Sequence, residues 1–166
     1  MPTRPLIAVV GPGDGATDDQ TRAAESVGRA IAKRGWVTLT GGRAVGVMAA
    51  ATRGAAAASG LTVGVLPGST RDDAAPGLDI ALATGLGEAR NAVIATAADA
   101  LVACGLNPGT VSEVSLALRA GKPVALLCVD QAAIAFLQSL GVSAGLVRIA
   151  MDSDEALAWL APRLGG

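Results

Sequence analysis

At 166 residues, 51% of them hydrophobic and only 2% aromatic, the chain can form one domain with a core of Ala, Val, Leu and Ile. A formal net charge of -1 leaves no electrostatic footprint for nucleic acid or an anionic membrane surface. The absence of histidine excludes Ser-His and Cys-His nucleophile systems and His-ligated metal sites.

The pattern alternates short apolar runs with amphipathic ones. LIAVV at 6–10 reads as a buried strand, and residues 18–34 have helical spacing with Ala24, Val27 and Ile31 on one face. A strand at 36–40 (WVTLT), a helix at 45–59 and a strand at 61–66 (LTVGVL) follow, with a short strand at 80–83. Residues 87–98 read as a helix, 100–104 as a strand and 110–120 as a helix. The strand 124–129 (VALLCV), the helix 131–140, the strand 146–150 and a helix at 154–164 complete the chain. Strands alternating with helices of this length imply right-handed crossovers and a doubly wound α/β fold with a parallel sheet, in a single domain over 1–166.

Side-chain chemistry narrows the choices further. Cys104 and Cys128 each end an apolar run and read as buried, reduced structural thiols, too few for a zinc site. Only Lys33 and Lys122 are available for Schiff-base chemistry, and Lys122 lies in a Gly-Lys-Pro turn. The apolar run after Met1 is too short for a signal peptide, and the charge-free region 54–70 is broken by glycine and proline, so a cytoplasmic protein with no membrane span is expected. Asp14, Asp18, Asp19, Asp72 and Asp73 read as exposed turn and cap residues, not as a metal site. Trp36 and Trp159 read as core or interface fillers.

In a doubly wound sheet, ligands bind at the carboxyl ends of the strands. Three such ends carry glycine-rich junctions: Gly11-Pro-Gly-Asp-Gly15, Gly41-Gly-Arg-Ala-Val-Gly46 and Gly105-Leu-Asn-Pro-Gly109. Each precedes a helix whose first N–H groups lack intrahelical partners, the arrangement that binds phosphate. The third junction has two readings. Thr110-Val-Ser-Glu113 fits a capping box, with Pro108 and Gly109 setting a tight turn; alternatively, the same backbone cradles a phosphate. Arg43, inside the second junction, could pair bidentately with a phosphate, and Arg90 begins an otherwise apolar helix.

Together, Thr40-Gly-Gly-Arg-Ala-Val-Gly-Val-Met48, Val65-Leu-Pro-Gly68, Gly85-Leu-Gly-Glu-Ala-Arg-Asn91 and Pro108-Gly-Thr-Val-Ser-Glu113 resemble the SLOG/LOG-like superfamily. Within it, the sequence is similar to the molybdenum cofactor carrier proteins from Ile7 through Ala150. The resemblance implies a Rossmann-like fold, homo-oligomerisation as a dimer or tetramer, and binding of a phosphate-bearing pterin without turnover, with molybdoenzymes as acceptors. Residues expected to hold the ligand are Gly11, Gly13, Gly41, Gly42, Arg43, Gly46, Arg90, Asn107, Pro108, Gly109, Thr110 and Glu113. A carrier needs no catalytic residue.

The alternative implied by the same resemblance is a phosphoribohydrolase acting on a nucleoside 5′-monophosphate, with Arg90 and Glu113 as its working pair. That family's Glu-Arg-Lys is Ala89-Arg90-Asn91 here, and its Pro-Gly-Gly is Gly105-Leu106-Asn107. A third reading is a nucleotide sensor, but no effector segment accompanies the domain. The near-uncharged helices at 45–59 and 92–98 are apolar on every face, which suggests cover from a second subunit.

Overall fold

The computed structural model describes residues 3–164. The first half of the chain contains β1 (Leu6–Val10), α1 (Asp18–Lys33), β2 (Val37–Thr40), α2 (Gly46–Ala57), β3 (Thr62–Leu66), β4 (Ile80–Ala83) and α3 (Arg90–Ala97). The second contains β5 (Ala100–Cys104), α4 (Pro108–Arg119), β6 (Val124–Leu127), α5 (Gln131–Ser139), β7 (Val147–Ile149) and α6 (Ser153–Leu160). All strands pair in parallel in the order β4-β3-β2-β1-β5-β6-β7. The chain therefore grows outward from β1 in one direction, then returns to add β5 on the other side. The strand order reverses at the β1/β5 pair, where a crevice opens at the carboxyl edge.

Two apolar layers fix this sheet. Successive strand residues point to opposite faces, so Ile7 and Val9 of β1 join Val27, Ile31, Leu157 and Leu160 under α1, α2 and α6. Ala8 and Val10 join Ile94, Leu118 and Leu137 under α3, α4 and α5. Trp36 and Trp159, both partly buried, pack on the rim of the first layer. Among the described residues, no helix is long and apolar enough to cross a membrane.

The alanine-rich helix α2 is covered within the chain on the face that meets α1. It lies so close to α1 that a Cβ at Gly28 would overlap the backbone of Ala51, and one at Gly54 the backbone of Glu25. Small residues on both helices allow this contact, and it locks the loops leading into α1 and α2 against each other.

Several boundaries differ from those read in the sequence. Thr110 is not the helix cap. Helix α4 begins at Pro108, because Asn107 is extended and its Oδ1 accepts the Thr110 N–H at 2.8 Å, while proline suits the first helical position. A true capping box stands instead at Thr17 and Gln20, opening α1. The helix expected at 87–98 divides into a 3-10 turn, Gly87–Ala89, and α3. Lys122 donates to the carbonyls of Thr96 and Ala98, closing the C-terminal end of α3, which gives that lysine a structural task. Cys104 is buried as expected, but Cys128 is exposed: β6 stops at Leu127 and the backbone enters the left-handed region at Cys128 (φ 55°), ending the run of buried positions.

The α1–α2 contact generates a stability prediction. Gly54→Ala should lower the unfolding free energy by about 1–3 kcal/mol, the usual cost of overpacking, as measured by urea denaturation. Gly145→Ala, where a new Cβ meets nothing nearer than Ser143 Oγ at 3.8 Å, should stay within about 0.5 kcal/mol of the parent.

Candidate functional site

At the carboxyl edge, the loops after β1, β2 and β5 enclose a cavity of about 250 Å³. Its walls include Gly11, Gly13, Gly41, Arg43, Arg90, Asn107, Gly109, Thr110 and Glu113, all expected from the sequence. Gly42, Gly46 and Pro108 stand behind the walls without lining the cavity. Gly46 (φ 50°) is a joint, where a Cβ would strike the carbonyls of Pro12 and Gly13. Val10, Asp14, Met48, Glu88 and Asn91 line the cavity without having been assigned to it. Of these, Asp14 reads in the sequence only as an exposed turn residue, while Met48, Glu88 and Asn91 lie within the quoted motifs without an assigned place in the site.

The helix mouths are less open than their sequences suggest. The Val47 N–H, near the start of α2, donates to the Pro12 carbonyl at 3.0 Å. The Gly42 N–H donates to Thr40 Oγ1 at 3.1 Å. The Thr110 N–H and hydroxyl both donate to Asn107 Oδ1, at 2.8 and 2.9 Å. Local caps thus already use several donors that a phosphate could have taken.

The guanidinium groups remain. Arg90 opens α3, is only 7% exposed and lines the cavity. Among the described residues, just two buried side-chain polar atoms lack a hydrogen-bond partner, Thr38 Oγ1 inside the sheet and Arg90 Nε. A Cβ at position 41 would land on the Arg90 guanidinium and, at 2.6 Å, on Met48 Sδ, so glycine there makes room for the arginine. Burial lowers the Arg90 pKa, Glu113 and Glu88 oppose that shift, and Arg43 adds to it. Arginine nevertheless stays charged at neutral pH. Arg43 is part-exposed, with its Nη1 4.0 Å from Asp14 Oδ2. Its loop is held by the Ala44 N–H on the Asp73 carbonyl (3.0 Å) and the Ala75 N–H on the Gly42 carbonyl (2.8 Å).

Glu113, one turn into α4, is 6% exposed. Burial pushes its pKa up to about 7, with Arg90 pulling it down and Glu88 pushing it up. Asn91 ties the two helices of this wall together: its Nδ2 donates to Ser112 Oγ at 2.9 Å and to the Gly109 carbonyl at 3.4 Å, which also accepts the Ser112 hydroxyl at 2.6 Å. No His/Cys/Asp/Glu group able to hold a metal ion occurs among the described residues. The arrangement suits an oxyanion: two guanidinium groups, one of them desolvated and unpaired, face a glycine-lined recess.

Known proteins share this framework. A profile of the SLOG cluster4 family matches residues 4–156. The molybdenum cofactor binding protein from the phototrophic bacterium Rippkaea orientalis superposes with a TM-score of 0.93 at 40% identity, covering 98% of this chain and 99% of that one. The molybdenum cofactor carrier protein of Chlamydomonas reinhardtii superposes at 0.90 with 45% identity and the same coverage. A protein of Archaeoglobus fulgidus is 43% identical over 122 residues, 73% of this chain and 78% of its own length.

The burial of Glu113 predicts a pH dependence in the ligand-free protein. Its folded pKa, about 7, lies above the ordinary 4.5. The folded state therefore holds the proton more tightly, and stability present below the ordinary value is lost as pH rises toward 7. Glu113→Gln should remove this loss, raising stability at about pH 8 by up to about 3 kcal/mol and flattening the profile between the two pKa values, as read by thermal unfolding across pH.

Proposed function

Since the chain belongs to the SLOG cluster4 family, we propose that it binds, protects and hands on molybdenum cofactor as a non-enzymatic carrier. The observation that carries this reading is Arg90, a residue 7% exposed that lines the cavity, with no hydrogen-bond partner at its buried Nε. A phosphate group of charge about -1.5 to -2 supplies a directly bonded anionic partner, beyond the through-space influence of Glu113 and Glu88 on Arg90. Arg43 stands where it can take a second oxygen, and the glycines at 11, 13, 41 and 109 let the backbone approach closely.

Size supports a partial enclosure. The cavity of about 250 Å³ falls just under the roughly 300–1,000 Å³ of pockets that engulf a whole small molecule. It receives the phosphate end and leaves the pterin at the rim, beside the exposed carboxylates of Asp14 and Glu88. Retention without chemistry needs only such preorganised contacts. The two relatives named above at 40% and 45% identity are described as a binder and a carrier of this cofactor, and a cytoplasmic molybdoenzyme is the natural acceptor.

The convergence of Arg90 and Glu113 in one cavity favours one second reading, a phosphoribohydrolase acting on a nucleoside 5′-monophosphate. Its Glu-Arg-Lys has become Ala89-Arg90-Asn91, and Asn91 is engaged in holding α4.

Homo-oligomerisation is part of the proposal, and the helix read at 92–98, here α3, with the edge strand beyond it, offers a face for it. Ile80 and Leu82 of the edge strand β4 are 43% and 47% exposed. Leu82 pairs with Val65, which lies in the α3-side core, so these residues continue that face beyond α3. Val93 of α3 and Leu116 of α4 are also exposed. Light scattering should give a multiple of the 16.2 kDa chain mass, and Leu82→Glu combined with Val93→Glu should reduce it to that of one chain. A monomeric parent protein sinks this part of the proposal.

The carrier reading is tested by mixing apo-protein with molybdenum cofactor and following cofactor decay. The protein should slow decay and retain the cofactor on gel filtration, while Arg90→Met should weaken retention by about 10- to 100-fold, the value of a charge-assisted hydrogen bond. Undiminished decay refutes the carrier; release of free base from AMP, abolished by Glu113→Gln, establishes the hydrolase instead.

A further inference from the structure

Phosphate recognition by arginine does not explain why a carboxyl group shares the same cavity. Glu113 is 6% exposed and lines the cavity with Arg90. It forms no ion pair within 4.0 Å among the described residues, where the ion pairs are all elsewhere. An ionised Glu113 would set a like charge against any bound anion in a desolvated space.

The groups around it do not resolve this conflict. Arg90 faces it from α3, Glu88 from the 3-10 turn before α3, and Asp14 lines the same cavity from the loop after β1. Arg43 acts on Arg90 from the loop after β2. The strands β5 (ALVAC) and β6 (VALL), against which α4 packs, present no charged residue, and on α4 itself Arg119 sits in the last turn. Arg90 is the one cation acting on Glu113, and an incoming anion competes for it.

We propose that the site takes up its anion together with a proton, so that Glu113 enters the complex as the neutral acid and gives the proton back when the ligand leaves. The inference rests on the anion-site reading above and adds its regulation. Solvent supplies the proton; no bond of the ligand is made or broken. In the ligand-free protein Glu113 titrates at about 7. Below that value the acid is already neutral and binding exchanges no proton. Above it, each anion bound must carry one proton in, so affinity should fall about tenfold for every pH unit. Alkalinity thus ejects the cargo, and acidity retains it.

Inorganic sulfate is the probe, because its charge does not change across this range. Titration calorimetry of the full chain in two buffers of different ionisation enthalpy counts the protons. About one proton per sulfate at about pH 8.5 and nearly none at about pH 6, with binding weakened about tenfold per unit above 7, is the expected result. Glu113→Gln should abolish both the proton uptake and the slope. If the parent protein binds sulfate equally well at both pH values without proton uptake, or if Glu113→Gln keeps the slope, the proton coupling is wrong while the anion site stands. If the parent fails to bind sulfate even at about pH 6, or Arg90→Met binds it undiminished, the anion site and the coupling fall together. The proton count on the parent protein decides the matter even if the variant misfolds.

Discussion

A charged group taken out of water without a partner raises the free energy of the state that contains it. Arg90 is such a group. Its guanidinium lies under Gly41 and beside Met48, with Nε unsatisfied and its pKa depressed by burial. The two apolar layers on either side of the sheet stabilise the fold enough to tolerate this local cost. On the proposed reading, an anion bound at the Arg90 head group offsets this cost, and the site favours negative charge for that reason. Glu113, buried in the same wall, sharpens the selection by penalising its own ionised form.

The geometry follows from topology and from short local bonds. The reversal of strand order at β1 and β5 brings the three glycine-rich loops to one crevice. The α1–α2 contact through Gly28 and Gly54 holds the first two loops in fixed relation, and the Val47 to Pro12 hydrogen bond joins them directly. On the opposite wall, Asn91 and Ser112 converge on the Gly109 carbonyl, so α3 and α4 present Arg90 and Glu113 as one unit. Arg43 stands apart: its backbone is pinned by the segment around Asp73, and its part-exposed head group faces Asp14 at 4.0 Å.

Most of the fold could be read from periodicity, because buried parallel strands are unbroken apolar runs and their crossovers are amphipathic. Even the short strand at 80–83 declared itself. The errors arose where two local rules competed. Thr-x-x-Glu at 110–113 satisfies the capping-box pattern, yet the Asn-Pro pair before it starts the helix earlier, and Thr110 becomes an interior donor to the true cap. The genuine box at Thr17 and Gln20 lay behind two aspartates that suggested a start of their own. Cys128 looked buried because it continued an apolar run, whereas the strand had already ended. In the site, the glycine junctions and Arg43 were visible as motifs, and Arg90 and Glu113 through resemblance. Occupied donors were not legible, since Val47 is blocked by a loop 35 residues away in the chain. Met48 and Glu88 stand inside the quoted motifs, but their place on the cavity wall shows only once α2 and the 3-10 turn are in position.

Because the crevice lies between β1 and β5, its two walls come from opposite halves of the polypeptide. The loops at 11–14 and 41–43 are synthesised early, while Asn107 to Glu113 follow much later. A nascent chain leaving the ribosome therefore has one wall long before it has the other. The half made first carries Gly11, Gly13, Gly41 and both cavity arginines, Arg43 and Arg90, but lacks Asn107, Thr110 and Glu113. The crevice is therefore complete only after α4 has been made and β5 has docked beside β1.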